Sequence, residues 1–250
     1  KDLLPQITKR VGDALADAAR ERGRALAMQG APETTADGFV QKAAQPARAA
    51  HEFRLDGGAV LNLKAAAGGG NAGTLSAVAT GGGVTLDGTI DAHAANGKGG
   101  SFVLDIVALP DFAGFSQRLE NAGFTASRQF RIRSNDVVVD GTTKVDSFTL
   151  VADTGKVTVR GAIDARAAYG GGITIIGGNG LTMESSADLK AGATTDLGGG
   201  RVTLDAGEGR LDVRGGAIDV AGGEGGKVRF RARQVAGPDY VAVDALAAII

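Results

Sequence analysis

The chain has 250 residues, 41 of them Gly and 44 Ala, with only 4% aromatic residues and neither Trp nor Cys. Twenty-seven basic and 28 acidic side chains leave a net charge of −1, so no net basic field exists to draw the chain onto nucleic acid or an anionic membrane. The lack of Cys excludes disulfides, thiolate metal sites and Cys nucleophiles, while 43% apolar and 22% charged residues exclude wholesale disorder.

From Leu4, the apolar positions Leu4, Ile7, Val11, Leu15 and Ala18 recur at helical spacing, with charged residues on the other faces. This predicts an amphipathic helix over 1–30, serving as a cap or a partner contact. Residues 31–52 carry two prolines and no clear period, and read as a linker. The first residue is Lys1, and no short apolar run follows it as a signal peptide requires, which predicts a processed chain or an interior fragment. No apolar run approaches about 18 residues, so no transmembrane helix is expected.

From Phe53 onward, short alternating segments rich in β-branched residues stand between glycine clusters. Examples are Val60–Leu63, Val84–Leu86, Phe148–Leu150, Ile173–Ile175 and Val228–Phe230, and their period of two means strands. Three stretches, 84–104, 157–175 and 211–230, share one plan: strand, Gly, Ile-Asp-small, variable loop, Gly-Gly, strand. Ile90, Ile163 and Ile218 precede Gly100, Gly172 and Gly226 by 10, 9 and 8 residues. Phe148, Ile173, Val202 and Val228 follow one another at intervals of 25, 29 and 26 residues. That is a coil length rather than a hairpin length, and it predicts an all-β parallel solenoid over 53–250 that continues beyond 250 in the parent chain. The structural alternative is a β-sandwich, which would call for turn signals every 8–12 residues. One segment breaks the pattern: Phe112, Phe115, Leu119 and Phe124 predict a short helical excursion near 111–122 that covers a coil irregularity.

The stretches GKVTVRGAIDARAAYGGGITIIGGNGLTM and GGGRVTLDAGEGRLDVRGGAIDVAGGEGGKVRFRAR, with AGFTASRQFRIRSNDVVVDGT upstream, resemble the repeat region of filamentous-haemagglutinin-like large exoproteins of Gram-negative bacteria. The resemblance runs from about Phe53 to the C-terminus. It implies a right-handed parallel β-helix, export through an outer-membrane transporter by two-partner secretion, and a role as a surface adhesin or filament. The implied location is secreted or cell-surface, outer-membrane associated. Implied partners are other copies or segments of the parent exoprotein, the transporter, and a host or polysaccharide receptor. The Asn-Pro-Asn-Gly motifs of the family's secretion domain are absent, so this is not the export module.

Among chemical candidates, Asp91, Asp164 and Asp219 follow the repeat isoleucines, where a solenoid stacks such acids for Ca²⁺ binding or acid catalysis. Ile163 and Ile218 are 55 residues apart and thus not on consecutive coils, which favours a backbone-bonding corner role for these acids. The segment 177–183 departs from the Ca²⁺ nonapeptide by placing Thr182 at the ligand position. His51 and His93 are too few and too far apart for a His-rich metal site and read as exposed loop or linker residues. Arg128, Arg131 and Arg133 lie along one short strand and form a candidate surface or partner contact. No catalytic residue, metal site or cofactor is implied. The expected function is a structural and adhesive rod, with a β-helical polysaccharide lyase or hydrolase as the alternative.

Overall fold

A computed structural model describes residues 52–233 and the strand 243–245. The helix expected over 1–30 and nearly all of the linker expected over 31–52 lie outside the described residues. Strands β1 (Glu52–Leu55) and β2 (Val60–Asn62) open the described chain. The next coil comprises β3 (Thr74–Ala79), β4 (Gly83–Leu86) and β5 (Thr89–Asp91). Then β6 (Ser101–Ile106) is followed by a helix, α1 (Phe112–Asn121), where two strands would otherwise stand. Regular coils resume with β7 (Ser127–Ile132), β8 (Val137–Val139) and β9 (Thr142–Lys144), then β10 (Ser147–Ala152), β11 (Val157–Val159) and β12 (Ala162–Asp164). They continue with β13 (Gly172–Gly177), β14 (Leu181–Met183) and β15 (Asp188–Lys190), then β16 (Arg201–Asp205), β17 (Leu211–Val213) and β18 (Ala217–Asp219). Last come β19 (Lys227–Arg231) and β20 (Val243–Ala245).

Every pairing between these strands is parallel and joins one coil to the next. The described residues therefore form a β-solenoid, as the 25-, 29- and 26-residue intervals predict. Phe148, Ile173, Val202 and Val228 fall on one register line. A first face holds seven strands in the order β19-β16-β13-β10-β7-β6-β3, a second holds β20-β17-β14-β11-β8, and a third holds β18-β15-β12-β9. The pairs β1-β4 and β2-β5 stand apart from the second and third faces. The second and third sequence repeats are each a second-face strand, a third-face strand and the next first-face strand, while the first runs through β4 and β5, paired with β1 and β2, into the first-face strand β6.

Alternation along each strand sends every second side chain inward, and the coils stack like residues into files. One file runs Ala77, Leu104, Phe130, Leu150, Ile175 and Leu204, all at most 1% exposed. Each large aliphatic or aromatic side chain buried this way is worth roughly 1.5–3 kcal/mol of transfer free energy. This is how a chain short of aromatics fills a core.

Six of the nine phenylalanines, Phe102, Phe112, Phe115, Phe124, Phe130 and Phe148, gather where the pattern breaks. In α1, Asp111 caps the N-terminus by accepting from the Gly114 N–H at 2.9 Å, and Phe112, Phe115 and Leu119 face inward. Phe112 stacks edge-on to Phe130 at 5.4 Å between ring centroids, while Phe102 lies 5.7 Å from Phe115 and 5.4 Å from Phe124. The helix and these rings fill the space left by two missing strands, which is the covering role expected for this segment.

Candidate functional site

Asp164 and Asp219 end third-face strands and Asp91 ends β5, each one residue after an inward isoleucine. Ile163 and Ile218 are buried, whereas Ile90, in the separate β2-β5 pair, is only half-buried. In each case the Asp Oδ1 accepts from the backbone N–H two residues on: His93 for Asp91 at 3.2 Å, Arg166 for Asp164 at 3.3 Å and Ala221 for Asp219 at 2.9 Å. These are Asx turns that start the corner loop. The carboxylates do not form a continuous acidic line. The register runs Lys144, Asp164, Lys190, Asp219, so a lysine stands beside both of these acids, and Asp91 pairs with Asn62 in the separate β2-β5 pair. No group of three or more His, Asp or Glu side chains able to share a metal ion occurs among the described residues.

The glycines before the first-face strands mark the tightest approach between corner and sheet. A Cβ at Gly226 would lie 2.1 Å from the Val220 carbonyl oxygen, and one at Gly100 would lie 2.7 Å from the Ala92 Cβ. The equivalent residue in the middle repeat is Gly171, not Gly172. A Cβ on Gly171 would stand 1.5 Å from the Ala165 carbonyl oxygen, whereas one on Gly172 meets nothing closer than the Ser147 Oγ at 3.9 Å. Gly172 is the first residue of β13, in register with Ser147 and Arg201. The run of three glycines at 170–172 leaves the position undetermined until the strand register is known.

The arginine run divides in two. Arg131 and Arg133 do share the outer face, but each is tied across coils: Arg131 to Asp153 at 3.0 Å and Arg133 to Asp105 through two bonds of 2.7 and 2.8 Å. Arg128 is not a surface residue. It is 0% exposed and sits in the inner file between Phe102 and Phe148. Period two already places it with Phe130 and Ile132 rather than with Arg131, and the strand's basic character hides that parity. Its Nε donates to the Phe124 carbonyl at 2.8 Å, Nη1 donates to the Ser116 carbonyl and hydroxyl at 3.2 and 2.9 Å, and Nη2 donates to the Lys144 carbonyl at 3.3 Å. Burial lowers its pKa to about 10, with Glu120 opposing the shift, so the guanidinium stays charged at neutral pH.

A groove of about 360 Å³ opens at the corner between the third and first faces, lined by Thr125, Lys144, Asp146, Asp164, Arg166 and Thr194. Lys98 reaches Asp146 at 3.0 Å, and Arg166 grips Asp164 at 2.9 and 2.6 Å. Principally through that hydrogen-bonded contact, Arg166 holds the Asp164 carboxyl below its ordinary range. The loop after Asp164 that supplies Arg166 also carries Tyr169, which is 70% exposed. Hydroxyls, ammonium, guanidinium and carboxylates in one groove suit a polyhydroxylated ligand. Of these residues, only Asp164 stands out in the sequence, because the groove is created by loops of unequal length stacking beside one another. His93 is exposed and bonds Asp91 at 3.0 Å; His51 lies outside the described residues.

No known protein family, curated protein or solved structure matches the chain.

Proposed function

We propose that the chain is a structural and adhesive segment of a secreted bacterial surface exoprotein, in which the solenoid is a stiff shaft and the corner groove a contact for a polysaccharide or host receptor. The observation that carries this reading is the first face: seven parallel strands in unshifted register from Thr74 through Ser101, Ser127, Ser147, Gly172 and Arg201 to Lys227. Such a sheet grows by adding coils, each stabilised by its neighbours, without needing a thicker core. Cross-coil ion pairs such as Arg131–Asp153 and Arg160–Asp140 line its outside. The likeness of the repeats to filamentous-haemagglutinin-like exoproteins supports the same reading, and with it display on a Gram-negative surface by way of an outer-membrane transporter.

The second reading, a glycan-cleaving enzyme, draws on Asp146 and Asp164 lining one groove with Lys144 and Arg166. Against it, Asp164 is held ionised by Arg166 and is a poor general acid. The test is electron microscopy of the parent protein on and off the cell surface, paired with incubation of the chain with a polysaccharide panel. Thin rods without cleavage support the shaft; compact particles that shorten a glycan overturn it.

A further inference from the structure

The three faces differ in continuity along the axis. At an ordinary coil interface, such as that between the coils of β10 and β13, all three faces pair: six residues on the first, three on the second and three on the third. On the near side of α1, only the first face pairs, through the six-residue ladder of β3 with β6. There β4 and β5 look onto the helix rather than onto strands, and a groove of about 260 Å³ opens between them, lined by Leu86, Thr89, Ile90, Arg118, Leu119 and Asn121.

Outside the ladder and its flanking turns, this interface is bridged by the Ala92 N–H donating to the Ala122 carbonyl at 2.7 Å. It is also bridged by two exposed ion pairs, Arg118–Asp87 at 3.6 Å and Lys98–Asp146 at 3.0 Å, of a kind worth little in water. Leu86 and Ala92 are buried on this side, but the inward residues Leu75, Val84 and Ile90 are only partly buried, whereas Val157 and Ile163 farther along are fully buried. The far side of α1 is sealed by contrast. Phe112 packs on Phe130 and Phe148, the Ser116 and Thr143 hydroxyls share a 2.7 Å hydrogen bond, and Arg128 ties β7 to the helix.

We propose that residues 52–99 are a separate opening unit that parts from the rest of the solenoid along the near side of α1, with the β3–β6 ladder as its hinge and the helix retained by the larger part. In a shaft under axial pull, this interface yields first, so the molecule lengthens without unravelling its main body. Regions with few buried apolar contacts and an incomplete ladder open at lower free energy than the whole.

Native-state hydrogen exchange of the full 250-residue chain, read by mass spectrometry, tests this. The Ala92 amide, whose hydrogen bond crosses this interface to the Ala122 carbonyl, is expected to exchange on the order of 100-fold faster than those of 157–164, with residues 112–121 remaining in the slow group. Equal protection of Ala92 and 157–164 overturns the proposal, as does exchange of the helix with the fast group. Arg128→Ala supplies a second readout: it is expected to move the helix amides toward the fast group, and a helix that stays slow in that variant overturns the anchoring role of Arg128. Neither result bears on whether the parent forms rods, which imaging reads separately.

Discussion

Arg128 and Thr143 are polar residues in two different inner files of the same coil, and a single hydroxyl, that of Ser116 on α1, joins them. The guanidinium donates to the Ser116 oxygen, which leaves the Ser116 hydrogen free to be donated to Thr143. Coils farther along place Phe148 and Ile163 in these two files, so the polar pair occurs only where a helix replaces strands. The guanidinium meets three carbonyls and a hydroxyl, and no carboxylate comes within hydrogen-bond reach of it. It therefore satisfies loop and helix carbonyls that no ladder partner could reach.

Replacing Arg128 removes these donors and leaves a cavity. Arg128→Ala is expected to lower unfolding stability by about 3 kcal/mol. Arg128→Lys is expected to recover only part of that, because three donors on a point charge do not reproduce a planar fork. Denaturant titration of the three proteins gives the order; a Lys variant equal to the native chain would refute the fork argument.

The glycine file yields a paired test. Gly171→Ala drives a Cβ into the Ala165 carbonyl oxygen and is expected to cost more than about 2 kcal/mol, whereas Gly172→Ala meets only ordinary contacts and is expected to stay within about 0.5 kcal/mol. Melting temperatures of the two variants decide whether Gly171 is the corner residue.

Asp164 has a pKa lowered in the folded chain, chiefly by its hydrogen bond from Arg166. A depressed carboxyl contributes stability above its unfolded value, here near 3.8, and loses that contribution as pH falls through the folded value. The Arg166 partner is largely solvated, so Asp164→Asn is expected to cost less than about 1 kcal/mol at pH 7. The difference between variant and native chain should shrink on acidification below about pH 4. A difference that grows in acid would contradict the assignment.

Tyr169 lies on the groove loop with its ring in solvent, so Tyr169→Ala is expected to leave the melting temperature unchanged within about 0.5 kcal/mol of stability. Attachment of beads coated with the chain to a polysaccharide surface should weaken. A variant that attaches as well as the native chain removes the ring from the proposed contact.

The solenoid is legible in the sequence because stacking imposes two strong periods, two along each strand and about 26 between coils. Val157 and Leu211 begin second-face strands as the repeat alignment requires, and Val84 is the second residue of β4. The three-residue strands β9 and β15 carry a weaker signal, since Thr142–Lys144 and Asp188–Lys190 offer only one inward residue each. The phenylalanines of α1 mark its cover role by helical spacing. Arg128 stayed hidden because a basic residue reads as surface unless strand parity is weighed above residue type. The corner groove depends on how neighbouring loops stack, which no local pattern records.

The measurement that tests the shaft most directly is the length of parent-protein particles, imaged by electron microscopy, against the number of residues in the repeat region. Thr74 to Lys227 spans 153 residues and six coil rises. With a rise of about 4.8 Å, each residue adds about 0.2 Å of rod. Thin particles that lengthen at that rate across a series of internal deletions are the predicted result. Particles whose length does not follow the residue count, or that are compact, would contradict the account.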